Sequence, residues 1–253
     1  MGQWKLGYPS ALRNASSEAT GRAAYAAWTT NAITLSSVQP ARLASAAVSG
    51  GAGSLTISAS MTSSAWVGGW CKFRSGTYEG QAYRIKANTA NTLTLEAFKG
   101  TTPNFSGSNS STFVEICTGP ATYSFPTGRN PVKEDVSIST EADMIRYPYY
   151  LGGIYLPKTI VEDIVLKVLL TSRSEFEKLA MLCKWKPDYT GGDSLVSHMA
   201  GAPMILECGT HEADYQYLVY CTECKKIREG KGGGLIDVQL YLQQVAIPNY
   251  RGW

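Results

Sequence analysis

Period-two alternation is the feature that most limits how this chain can fold. Residues 54–58 (SLTIS), 70–74 (WCKFR), 82–86 (AYRIK), 92–95 (TLTL) and 112–116 (TFVEI) each set apolar against polar residues. A strand with one wet face requires that pattern. Between these runs stand Ser75-Gly76, Glu79-Gly80 and Asn88-Thr89-Ala90-Asn91, residues that reverse a chain at little steric cost. Near the C-terminal end, residues 235–243 (LIDVQLYLQ) alternate without a fault. Composition agrees with a β-rich chain. Charged residues make up 17%, below the usual quarter, and the difference is filled by Ser, Thr, Asn and residues such as 25 Gly and 15 Tyr.

The chain changes character near Gly119-Pro120, from a sequence poor in charge to one with charges and longer apolar runs. Residues 1–40 read as an irregular, extended N-terminal arm with too few apolar anchors to fold alone, although 16–28 could form an Ala-rich helix. Residues 41–118 read as a small β module. Residues 119–253 read as a larger β domain. Its strands are 160–170, 204–208, 215–221 and 235–243. Ser172-Arg173-Ser174-Glu175 matches a capping box, and Phe176, Leu179, Ala180 and Cys183 then recur on one face, which predicts a helix over 173–184 that Pro187 ends. The expected class is α+β, mainly β: an antiparallel sandwich or split barrel with one packed helix.

Several chemistries fit poorly. Net charge is +3, so no strong field points to nucleic acid as the main ligand. Two histidines, His198 and His211, leave little for histidine-based catalysis. Gly192-Asp193-Ser194-Leu195 spells a short esterase motif, but neither histidine has an Asp three residues before it, so the base that Ser194 needs is missing. Glu134-Asp135 and Glu162-Asp163 are adjacent on strands and point to opposite faces, which makes poor acid–base pairs. No catalytic residue, cofactor or metal is therefore expected. Cys208-x-x-His211 and Cys221-x-x-Cys224 have zinc-like pair spacing, yet Cys208 and Cys221 sit in apolar strand contexts that suit small core residues. Lys225, Lys226, Arg228 and Lys231 flank a glycine-rich loop that lacks the Gly-Lys-Ser/Thr of a phosphate cradle. They read as a mobile basic hairpin tip, or one that docks on an acidic neighbour or lines a channel. Tyr147, Tyr149, Tyr150 and Tyr155 suit a subunit interface better than a sugar platform. The first residues hold no apolar leader, the Met-Gly start lacks the residue pattern of myristoylation, and no apolar run is long enough to span a bilayer.

Two stretches resemble virion proteins of tailed bacteriophages. The first runs from Gly69-Trp70-Cys71-Lys72-Phe73 through Gly76-Thr77-Tyr78-Glu79-Gly80-Gln81-Ala82-Tyr83-Arg84-Ile85 to Asn88-Thr89-Ala90-Asn91-Thr92-Leu93-Thr94-Leu95, and resembles small β modules of phage structural proteins. The second, 132–247, orders its strand, helix and later strands in a way similar to the tail-tube-like fold of tube, distal tail and tail-completion proteins. The resemblance implies a non-enzymatic ring, of six subunits, around the DNA channel of the tail or its baseplate end. Its partners would be copies of itself and neighbouring tail proteins, with DNA passing non-specifically and no membrane involved. It also implies a place in the virion tail after assembly in the host cytoplasm. On that reading Asp237, Gln239, Tyr241 and Gln243 give a polar channel face. Lys225, Lys226, Arg228, Lys231 and Trp253 serve assembly or the channel, and the tail 248–253 waits for a neighbour. The competing expectation is a carbohydrate-binding module that uses Trp66 and Trp70.

Overall fold

The computed structural model describes residues 3–15, 18–26, 33–96, 102–126, 132–139, 143–146, 153–156, 161–183, 203–208, 215–230, 235–244 and 249–250. The chain is mainly β and divides into two compact units. One holds the described residues of Leu6–Ser124; the other holds those before Leu6, those of Phe125–Cys183 and those from Pro203 onward.

The first unit contains β1 (Lys5–Gly7, beginning one residue earlier), a 3-10 turn (Ser10–Asn14) and α1 (Glu18–Ala23). It then builds a closed antiparallel barrel from β2 (Arg42–Gly51), β3 (Ser54–Ile57), β4 (Trp70–Phe73), β5 (Ala82–Asn88), β6 (Thr92–Leu95) and β7 (Phe113–Cys117), followed by β8 (Thr122–Ser124). The barrel order β2-β3-β6-β5-β4-β7 places β7 beside β4 after the β4-β5-β6 meander, a Greek-key return. The five alternating runs are β3 to β7. Their inward residues, including Leu55, Ile57, Ile85, Leu93, Val114 and Ile116, are buried together. Phe73 and Phe105 stack at 5.3 Å between centroids, and Tyr78 and Tyr83 meet Phe105 edge-on.

The alternation did not announce β2, whose sequence is Arg-Leu-Ala-Ser-Ala-Ala-Val-Ser-Gly-Gly. Its small residues answer a packing need. A Cβ on Gly50 would lie 2.3 Å from the Phe105 carbonyl oxygen, so the strand must be bare there for the Phe105 loop to close on the barrel. At Gly76, φ is +85°, which suits the glycine of the turn between β4 and β5.

The N-terminal segment holds anchors that its composition conceals. Leu6, Tyr8 and Leu12 are buried, Tyr8 N–H donates to the Ala121 carbonyl at 3.0 Å, and Ser36 N–H donates to the Tyr8 carbonyl at 2.9 Å. Within the described residues, the N-terminal segment is thus anchored by side chains that enter a core shared with the rest of the chain. Well-spaced single apolar residues suffice when each enters an existing core.

The second unit carries β9 (Val132–Ser139), the hairpin β10 (Asp143–Arg146) and β11 (Gly153–Leu156), β12 (Val161–Leu170), α2 (Arg173–Cys183), β13 (Met204–Cys208), β14 (Tyr215–Glu229), β15 (Ile236–Gln244) and β16 (Asn249–Tyr250). Its main sheet runs β13-β14-β15-β12-β9, antiparallel throughout, with β16 on β14. The pairing of Asn249 and Tyr250 with Gln216 and Tyr215 gives the C-terminal tail an intrachain partner, contrary to expectation. β14 also extends eight residues beyond the expected end at 221. Its polar stretch keeps its backbone bonds to β15 through two bulges.

Helix α2 starts as the capping box predicts, with one change. The Ser172 hydroxyl accepts from Glu175 N–H at 3.2 Å, but the Glu175 carboxylate reaches back to the N–H and hydroxyl of Thr171 rather than to Ser172. Its buried residues are Leu179 and Leu182, while Phe176, Ala180 and Cys183 are half-buried. The apolar face is therefore centred about one position away from the expected stripe.

Candidate functional site

Strand β15 separates two faces cleanly. Ile236, Val238, Leu240 and Leu242 are buried, while Asp237 and Gln243 are exposed and Gln239 and Tyr241 are half-buried. Flanking strands extend the polar row. Gln239 registers with Lys167 of β12 and Lys225 of β14; Tyr241 registers with Val165 and Glu223; Asp237 registers with Leu169 and Arg228. Gln243 registers with Tyr220, an exposed aromatic. Directly opposed residues share a face. The result is a three-strand surface on which Lys167, Lys225 and Arg228 are interleaved with Asp237, Glu223 and neutral amides. The Thr222 hydroxyl donates to the Tyr241 carbonyl at 3.1 Å beside it. Such a surface is wet and hydrogen-bonding, yet carries little net field.

The described members of the basic cluster lie within strand β14, close to its C-terminal end. Lys225 and Arg228 join the polar face. Lys226 registers with buried Val238 on the other side and pairs with Glu229, whose carboxyl it holds below its ordinary value. The bulge between Lys226 and Arg228 accounts for the split, because one extra residue, the exposed Ile227, reverses strand parity. Lys231 and Trp253 lie outside the described residues.

The proposed zinc pairs do not converge. Cys208 is buried on β13 and registers with Tyr215, six residues of strand, about 20 Å, from Cys221. His211 lies outside the described residues. Cys183, at the end of α2, is instead the residue brought to Cys221 and Cys224. Hydrogen bonding with Cys221 and then with Cys224, together with burial, pushes the Cys183 thiol well above its ordinary value. Among the described residues, no group of three or more His, Cys, Asp or Glu is arranged to hold a metal ion. Sequence reasoning missed the trio because its members are far apart in the chain and one of them needs a bulge to face the others.

A second polar node sits on β13 and β14. Gln216 is fully buried and donates to the Glu207 carboxylate at 3.2 Å, which also pairs with Lys5 at 3.2 Å. On the barrel, Glu115 is buried and ion-paired with both Arg42 and Arg74. Each of these groups is charge-matched within the chain.

The Trp66 and Trp70 side chains, expected to carry sugar binding in the competing reading, are 8% and 7% exposed. A stacking platform needs an open ring face, so this pair offers none. The Ser194 motif, His198, and Tyr147, Tyr149 and Tyr150 lie outside the described residues, as do the side chains of Tyr155 and of the paired carboxylates. Among the described residues no helix is long and apolar enough to cross a membrane. Comparison with family models, curated proteins and solved structures returned no match.

Proposed function

We propose that this chain is a structural protein of a phage tail, with the β12-β15-β14 surface lining a channel through which DNA passes. The observation that carries the reading is the mixed, weakly charged face built around Asp237, Gln239, Tyr241 and Gln243 and flanked by Lys167, Lys225, Arg228 and Glu223, with Leu169 beside them. A channel wall for DNA has to stay hydrated without holding the phosphate backbone. Interleaved amides and charges of both signs do this, whereas a run of Lys and Arg would bind. The sheet-plus-helix order of the second unit supports the tail-tube-like resemblance, and the barrel is an elaboration added to it. The role is one of assembly, in a ring of six around the lumen and in contact with neighbouring tail proteins.

Negative-stain microscopy and sedimentation of the full chain test this reading. Rings or stacked rings with a central opening are expected at high protein concentration. A strictly monomeric protein across concentration and salt would overturn it.

A further inference from the structure

Cys221 and Cys224 are three residues apart, a spacing that sends side chains to opposite faces of a regular strand. The bulge between Cys221 and Glu223 absorbs the odd residue. Cys221 then registers with Leu242 and Cys224 with Leu240, leucines two apart on β15 and both buried. Both thiols therefore stand on the inner face of the sheet, opposite the polar surface described above. Helix α2 packs against β14. Its last residue, Cys183, places a third thiol within hydrogen-bonding reach of each of the other two. All three are free thiols in the structure. One helix thiol within reach of each of two thiols on the strand it covers forms an arrangement that a two-electron oxidation can link.

We propose that this trio is an oxidisable staple, in which Cys183 forms a disulfide with β14 through Cys221 or Cys224 and the remaining thiol exchanges the bond between them. The oxidant is a low-molecular-weight disulfide. Cys221 is half-buried and Cys224 is buried, so Cys221 meets the oxidant first. Its thiolate attacks one sulfur of the small disulfide, forming a mixed disulfide and releasing one small thiolate. Cys183, giving up its proton as it attacks, then displaces the second small thiol from the protein sulfur of that mixed disulfide. Two protein S–H groups become one S–S bond, and the small disulfide, reduced by two electrons, takes up the two protons as two small thiols. Attack by Cys224 on the new bond moves it along β14 with no further oxidation. The linked helix and strand then resist local separation, because the closed loop restricts the unfolded chain.

The test uses the full chain incubated with oxidised or reduced glutathione. Free thiols are blocked with N-ethylmaleimide in denaturant, and the protein is cleaved after Lys and Glu. Cleavage after Glu223 places Cys221 and Cys224 on different peptides, so the linkage can be read by mass spectrometry. A peptide containing Cys183 joined to one containing Cys221 or Cys224 is expected, together with a raised denaturation midpoint that dithiothreitol reverses. Cys183→Ser should abolish both effects. Full alkylation of Cys183 after oxidation would overturn the proposal, including the case in which Cys221 and Cys224 link to each other or two chains cross-link. The wild-type mapping decides this alone if the Cys183→Ser variant does not fold.

Discussion

Asn88 shows how much one polar side chain can organise. It is buried, its Oδ1 accepts from Trp66 N–H at 3.0 Å, and its Nδ2 donates to the Thr62 and Thr89 carbonyls at 2.9 and 3.0 Å. One amide thus pins the 62–66 loop to the end of β5. Asn88→Ala leaves those backbone groups unpaired and is expected to cost about 1–3 kcal/mol, read from the denaturant midpoint. Cys117 carries a prediction about pH. Burial first, and Glu115 second, push its thiol from 9.0 to about 11, against the opposing pull of Arg42, Arg74 and Lys72. The unfolded thiol loses its proton at lower pH than the folded one. The unfolded state therefore binds fewer protons in that interval, and stability falls as pH rises. The contribution is whole below pH 9 and is lost as pH passes about 11. Burial shifts Cys71 and Tyr83 in the same direction, so the decline belongs to several groups. Denaturant midpoints measured from pH 8 upward should fall, and Cys117→Ala should make the fall shallower. A flat profile in the wild type would contradict the assignment.

Among the elements, α2 gives the sharpest test of packing. Leu179 is fully buried and Phe176 only half-buried, so Leu179→Ala is expected to cost about 2–5 kcal/mol and Phe176→Ala less. Equal losses in equilibrium unfolding would mean that the helix sits rotated from its described orientation. The sequence disclosed this helix through Ser172 and Glu175, because capping is a local device whose residues are neighbours in the chain. It disclosed β3 to β7 and β15 because one wet face forces period two. It concealed β2, where close approach by Phe105 selects Gly and Ala over the β-branched residues that mark a strand. The polar row of β15 was legible for the same reason as its core. The fate of the basic cluster was not, because the bulges at Thr222 and Ile227 reverse parity and sort Lys225, Lys226 and Arg228 by register rather than by spacing. The thiol trio was hidden twice over, by a bulge and by a helix end contributed from a distant stretch of chain.

At the scale of the whole molecule, buried anchors and the channel reading decide how assembly can be tested. Removing residues 1–40 would strip Leu6, Tyr8 and Leu12 from a core and take Arg13 from its bond to the Ser64 carbonyl at 2.7 Å. A truncation would therefore confuse lost assembly with lost folding, and surface substitutions are the better instrument. Gln239→Lys combined with Gln243→Lys adds two charges to the polar face without touching the buried row of β15. Its unfolding midpoint should stay within about 0.5 kcal/mol of the wild type for each change. If the face lines a DNA channel, its weak net field is what keeps DNA from sticking. The substituted protein should then form the same rings but hold DNA in a filter-retention assay at low salt, with retention falling steeply as salt rises. The wild type should retain little under the same conditions. Two results would each remove the channel assignment: tight DNA retention by the wild type, or rings of the substituted protein that gain no retention at low salt.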